Sequence, residues 1–306
     1  MAAIEVEMLR KQYGNLLAVD NISFEVSPGE IVGLIGPDGA GKTSTMRMIV
    51  TLLPPSGGQI HFQGKDALRD MSLVRANIGY MPQRFSLYQD LTVEQNLRFF
   101  GDLFDIPPGE QKKQMEKLYA FSRLGPFKQR LAAQLSGGMK QKLALSCMLM
   151  HHPRVIVLDE PTFGVDPVSR HEFWEILHEL RKEGVAILVS TAYMDEAMQC
   201  DRVGLMYKGR MLAMDTPQKL LSTFPGELVR LPVRQPEKEY AWLCEKLGDD
   251  RVQLFGDGLH IKLDDALGRQ ALADVLADRP GTTGALQQIK PGLEDLFLYL
   301  LEEQHE

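Results

Sequence analysis

The 306-residue chain has little cysteine: Cys147, Cys200 and Cys244 lie far apart and form no CxxC pair. An odd, sparse set of this kind excludes a disulfide framework and fits a reducing compartment, with the three thiols read as small buried hydrophobes. No segment approaches the ~20 apolar residues of a membrane-spanning helix. The start, Met1-Ala2-Ala3-Ile4-Glu5-Val6-Glu7, has no basic stretch followed by an apolar run, so no signal peptide is expected. Basic excess is missing too. The formal net charge of −7 gives no electrostatic case for nucleic-acid binding, although a local basic groove could still sit on an acidic protein. Short repeats and low-complexity tracts are absent. What remains is ordinary for a globular chain, with 44% hydrophobic and 25% charged residues. The length suggests one large domain with a small one. Work at a membrane would require docking on a partner that spans it.

Residues 4–10 and 22–26 read as strands flanking a turn at Gly14-Asn15. Ile31–Ile35, Val155–Leu158 and Ala186–Ser190 are short apolar runs with β-branched residues, the pattern of buried strands. Residues 59–64 and 77–81 look like further strands, and Thr43–Leu53 like a helix ended by Pro54-Pro55-Ser56-Gly57-Gly58. From Thr92 to Met150 the pattern is helical, broken at Pro107-Pro108-Gly109 and at Ser136-Gly137-Gly138. Helices are also expected at 168–182 and 194–199. Alternating strands and helices imply an α/β fold, a parallel sheet with helices on both faces. Composition changes near residue 222, where Ser222-Thr223-Phe224-Pro225-Gly226 reads as a linker. Beyond it come strand 227–233, helix 236–247, strands 251–255 and 258–263 joined at Gly256-Asp257-Gly258, helix 266–278, strand 284–289 and helix 292–301. That βαββαβ order suggests a small α+β, ferredoxin-like domain. The expected division is 1–221 and 222–306, with a helical subdomain at about 88–150.

Gly36-Pro37-Asp38-Gly39-Ala40-Gly41-Lys42-Thr43 matches G-x-x-x-x-G-K-[ST] and lies between a strand and a helix, as that motif requires. Glycines let the backbone curl so that N–H groups face phosphate oxygens, and the following helix adds its positive end. Lys42 is placed to reach β- and γ-phosphates, and Thr43 to hold magnesium; Ser44 is counted with the loop. Val155–Leu158 runs into Asp159-Glu160. Asp159 is a candidate magnesium partner, and Glu160 a candidate for orienting or deprotonating water. Leu135-Ser136-Gly137-Gly138 precedes a helix, where Ser136 reads equally well as an anion contact or as a helix cap.

Together with Gln83 and Asp166, these motifs resemble the ATP-binding cassette (ABC) family over roughly residues 4–220. The resemblance implies a P-loop NTPase (RecA-like) nucleotide-binding domain that uses ATP and Mg2+. It implies that Tyr13 stacks on adenine, with a core tyrosine as the alternative. Gln83 would touch magnesium and the attacking water. The stretch of about Arg84–Phe104 would face a multi-spanning membrane permease, unless Phe99, Phe100 and Phe104 are plain helix core. Ser136, Gly137 and Gly138 would contact the γ-phosphate held by a second subunit, and Asp166 would sit in the loop that crosses between subunits. Each ATP is then sandwiched between two cassettes, so the chain must pair with itself or with a related cassette.

Three positions depart from the family pattern. Ala192 stands where the family usually has a histidine near the γ-phosphate, Met139 where glutamine is common, and Phe163 where serine is common. The tail around Lys290-Pro291-Gly292-Leu293-Glu294-Asp295-Leu296-Phe297 resembles ATPase subunits of ABC-2-type, daunorubicin-resistance-like exporters, whose extra domain serves dimerisation or regulation. The expectation is an exporter ATPase at the cytoplasmic face of the inner membrane. The alternatives are a regulatory subunit with little turnover, which Ala192 favours, and a soluble non-transport ABC ATPase. The soluble alternative usually carries paired cassettes, long coiled coils or zinc motifs, none of which is seen here. The cargo is not legible.

Overall fold

The computed structural model describes residues 1–84, 87–256, 258–264, 267–277 and 285–303. Residues 85–86 of the expected partner-facing stretch, turn residue 257, and 266, 278 and 284 at expected element ends lie outside the described residues. The chain forms two compact units, Met1–Pro217 and Gln218–Glu306.

The first unit begins with β1 (Ile4–Tyr13), β2 (Leu16–Val26) and β3 (Ile31–Ile35). It continues with α1 (Lys42–Ile49), β4 (Gly57–Phe62), β5 (Lys65–Asp66), α2 (Met71–Asn77) and β6 (Ile78–Met81). A helical stretch follows, of α3 (Val93–Leu103), α4 (Pro108–Ser122) and α5 (Gly137–Met148). The chain then runs through β7 (Val155–Asp159), α6 (Pro167–Lys182), β8 (Ala186–Thr191), α7 (Met194–Ala197), β9 (Arg202–Tyr207) and β10 (Arg210–Asp215), and α8 (Pro217–Ser222) leads into the second unit.

Strands order as β10-β9-β3-β8-β7-β6 in one sheet, parallel except for the β9–β10 hairpin. Helices lie on both faces as expected, and on the α1 side a second sheet joins them. There β2-β1-β4-β5 form a separate antiparallel sheet. The reason is in the strands themselves: β1 and β2 bury alternate residues, so each has one apolar face to cover. One core joins Ile4, Leu9, Ile22 and Phe62 of this sheet to Met46 and Ile49 of α1 and to Val32, Val157 and Leu188 of the parallel sheet. Both faces of β3, β7 and β8 are buried.

Element ends differ from expectation where turns intervene. β1 and β2 run to within two residues of each other around Gly14-Asn15. α1 stops at Ile49, four residues early, because Thr51 takes φ +58° and Leu52 and Leu53 both donate back to Arg47 O. Ser136-Gly137-Gly138 is a helix start rather than a break. Cys147 and Cys200 are buried, which pushes both thiols up, whereas Cys244 is only half-buried.

The second unit contains β11 (Glu227–Pro232), α9 (Pro236–Leu247), β12 (Val252–Phe255), β13 (Gly258–Leu263), α10 (Arg269–Ala277), β14 (Gln287–Ile289) and α11 (Leu293–Glu302). Its sheet is antiparallel in the order β12-β13-β11-β14, which places each βαβ crossover around an intervening strand, as in ferredoxin-like folds. Val229, Leu231, Leu243, Leu259, Ile261 and Leu272 fill its core. Gly226 precedes the first strand at φ +77°, and a Cβ there would meet Leu263 O at 2.0 Å, so no other residue fits. Asp295 accepts from Gly292 N at the start of α11 and pairs with buried His260 at 2.7 Å.

Phe62→Ala removes a fully buried ring from the core shared by both sheets of the first unit. A stability loss of about 3–5 kcal/mol is expected, read from the urea midpoint of the first unfolding transition.

Candidate functional site

The parallel strands end together. Ile35 pairs with Thr191, and Asp159 with Ser190, so the segments leaving β3, β7 and β8 meet at the carboxyl end of these neighbouring strands. The loop after β3 turns tightly into α1. Gly39 and Gly41 take φ +78° and +103°, and a Cβ at Gly36 would meet Met206 O at 2.2 Å. Gly41 is similarly close to Ala18 O, at 2.6 Å. The loop is anchored by Gly209 N to Ala40 O, 3.0 Å, while Pro37, Asp38 and Gly39 form an exposed tip. The first N–H groups of α1, Lys42, Thr43 and Ser44 among them, start a helix and lack intrahelical partners.

Lys42 is 4% exposed, and its ammonium is already aimed. Nζ donates to Gly36 O at 2.7 Å and to Pro37 O at 3.1 Å, and lies 3.4 Å from Glu160 Oε1. Gln83 Nε2 donates to Glu160 Oε2 at 2.8 Å. Thr43 Oγ1 donates to Asp159 Oδ1 at 3.1 Å. Lys42, Thr43, Gln83, Asp159 and Glu160 therefore converge, as their types predict. Glu160 takes φ +49°, a left-handed conformation that surroundings must enforce.

Ser190 enforces part of it, and the sequence reading assigned it no role. Its hydroxyl donates to Asp159 Oδ1 at 2.8 Å and accepts from Glu160 N at 3.0 Å. The available signal was a hydroxyl at the end of an otherwise apolar strand. Asp159 is 1% exposed, yet its Oδ2 has no hydrogen-bond partner. A buried carboxylate oxygen beside a threonine hydroxyl is a donor set that suits a hard divalent cation.

Tyr13 ends β1 and is 44% exposed, with the Lys11 ammonium 5.1 Å from its ring centroid. The core-tyrosine alternative is thereby corrected. Ser136 caps α5 by accepting from Met139 N at 3.3 Å. Asp166 caps α6 by accepting from Ser169 N at 2.9 Å, and these hydrogen bonds hold its carboxyl below the usual range. The two helix starts touch, since a Cβ on Gly138 would lie 2.3 Å from Ser169. Among the described residues, Ser136, Gly137, Gly138 and Asp166 make no hydrogen bond to the phosphate loop. The candidate residues thus fall into two groups that share no hydrogen bond among the described residues. A cavity of about 540 Å³ lined by Gln114, Leu118, Phe121, Leu149, Arg154 and Val185 contains none of either group.

Residues 19–163 match the ABC transporter family. The probable multidrug ABC transporter ATP-binding protein YbhF of Escherichia coli K12 is 39% identical over 98% of this chain and 52% of its own length. Nod factor export ATP-binding protein I of Sinorhizobium fredii NGR234 is 35% identical over 97% of this chain and 85% of its own length. A solved structure of an ATP binding subunit of an ABC transporter is 30% identical, with a TM-score of 0.66 over 72% of this chain and 93% of that one. The chain belongs to the ABC transporter family of ATP-binding proteins. It spans about half the length of YbhF. No helix among the described residues is long and apolar enough to cross a membrane.

Gly36→Ala should force the loop away from Met206 O and weaken binding of a fluorescent ATP analogue by roughly tenfold or more, about 1.4 kcal/mol. A titration of wild type and variant side by side checks this.

Proposed function

We propose that the chain is the ATP-hydrolysing motor subunit of an exporter, closing on ATP as a dimer to drive a membrane-spanning partner. The observation that carries this is Glu160. It is 8% exposed, held in a left-handed turn, and bracketed by Lys42 at 3.4 Å and Gln83 at 2.8 Å. A carboxylate so placed can take a proton from water at the γ-phosphate end of the loop. Lys42 and the loop N–H groups bind the phosphates. Gln83 orients the Glu160 carboxylate and reaches the same water. Thr43, Asp159 and Gln83 would hold Mg2+, and the unpartnered Asp159 Oδ2 supports that donor set. An ion held there would supply positive charge that offsets the phosphate charge. Exposed Tyr13 offers a ring for adenine.

Ser136, Gly137, Gly138 and Asp166 are the half-site offered to a second subunit. That they make no hydrogen bond to this chain's own 36–43 loop, among the described residues, favours a sandwich of two cassettes, identical or related. Exposed Phe163 and Val168 flank Asp166 and belong to that seam. The permease-facing surface is the Tyr88–Phe99 pair, 4.4 Å between centroids, with exposed Leu103 and Phe104 beside it. Phe99 and Phe104 are too exposed for helix core. These features favour attachment at the cytoplasmic face of a membrane, and the multidrug and export roles named for the relatives favour export. Residues 222–306 are read as a dimerisation or regulatory domain.

Exposed Ala192 offers no side-chain hydrogen bond, which favours a second reading, a regulatory subunit that binds ATP with little turnover. Phosphate release separates the two. Wild type should exceed Glu160→Gln by roughly 10²- to 10⁴-fold, and equal rates support the regulatory reading. Deleting 222–306 should weaken self-association in sedimentation equilibrium, whereas an unchanged association constant removes the dimerisation role.

A further inference from the structure

The segment after β8 is held by a side chain from α6. Arg170, in the first turn of that helix, lays its guanidinium 4.2 Å from the ring centroid of Tyr193. Its Nη1 is 3.5 Å from Asp195 Oδ2, and its Nε is 3.4 Å from Glu196 Oε1. Three of the four residues 193–196 therefore rest on one arginine. Glu196 is 2% exposed, and its Oε1 also accepts from Thr162 Oγ1 at 2.6 Å. Thr162 lies two residues beyond Glu160, in a turn closed by Phe163 N to Glu160 O at 3.2 Å. Contacts thus run without a gap from Arg170 through Glu196 and Thr162 to the turn that carries Glu160. A residue at φ +49° keeps that conformation only if its surroundings over-determine it. Ser190 supplies one side of that constraint, and the Arg170 chain supplies the other.

We infer that Arg170 is a positioning residue for Glu160, clamping the 193–196 segment from α6 where Ala192 contributes no polar contact. This rests on the proposed hydrolysis. The competing role is plain charge compensation, because Glu196 without a cation is a buried, uncompensated carboxylate. Removing both charges tells the two roles apart. Arg170→Gln/Glu196→Gln strands no ion and keeps an acceptor for Thr162. Arg170→Lys keeps the charge but loses the planar stack on Tyr193.

The test measures phosphate release, ATP-analogue affinity and thermal unfolding on the full chain, with each variant also made in a Glu160→Gln background. Arg170→Gln should lower kcat roughly ten- to a hundredfold, the scale of a misplaced catalytic group, with affinity within about twofold. That penalty should vanish in the Glu160→Gln background. The paired variant should regain thermal stability without regaining turnover, and Arg170→Lys should fall between wild type and Arg170→Gln. Recovery of turnover in the paired variant overturns the inference. So does a penalty that persists beside Glu160→Gln, or an affinity that falls in step with kcat. Wild type turning over no faster than Glu160→Gln removes the hydrolysis reading and this inference with it. An active wild type beside an equally active Arg170→Gln removes only this inference.

Discussion

Parallel pairing of β7 with β8 brings Asp159 beside Ser190, and the rest of the site is built around that adjacency. Asp159 and Glu160 are two acids at the end of an apolar strand, in a place where solvent is largely excluded. Charges there are tolerated only with partners. Ser190, Thr43, Lys42 and Gln83 are those partners, and they come from the ends of β8 and α1 and from the segment after β6. Slipping either strand by one residue would turn its side chains to the opposite face and leave both carboxylates unpaired. The buried strands, apolar on both faces, hold that register.

Much of this was legible beforehand. The phosphate loop, the paired acids and Gln83 carry residue types with few alternative uses at those spacings. The structure brings them within hydrogen-bonding reach of one another. The second unit was legible as well, because turn residues such as Gly226 and Gly256 punctuate it clearly. Less visible was the separate antiparallel sheet. Strands β1, β2 and β4 show periodicity, but nothing local states which other sheet their apolar face will cover. Ser190 and Arg170 were missed for a related reason. Their partners lie 31 and 26 residues away in sequence, and a lone serine or arginine advertises no role until the fold brings those partners near. Tyr13 needed the fold in another sense, since burial alone separates a core ring from one available to stack.

Two groups of candidate residues share no hydrogen bond among the described residues. One is the loop with its acids. The other is the pair of touching helix starts at Ser136–Gly138 and Asp166–Ser169. The first has the free N–H groups at the start of α1 beside two buried acids. The second has helix N-termini with a serine hydroxyl and an exposed carboxylate facing outward. In the proposed reading a nucleotide shared between two chains would complete both, and ATP would act as the adhesive whose γ-phosphate contacts are lost on hydrolysis. In the proposed reading, the absence of a polar side chain at Ala192 would shift the burden of organising that end of the site onto Glu160 and the contacts that hold its turn.

The measurement that bears most directly on the half-site is sedimentation velocity of the Glu160→Gln chain with magnesium, in ATP and then in ADP. A shared-nucleotide sandwich predicts a dimer in ATP that dissociates to monomer in ADP, and loss of the ATP dimer when Ser136 is replaced by arginine. A single species, unchanged by the nucleotide or by the Ser136 substitution, would contradict it.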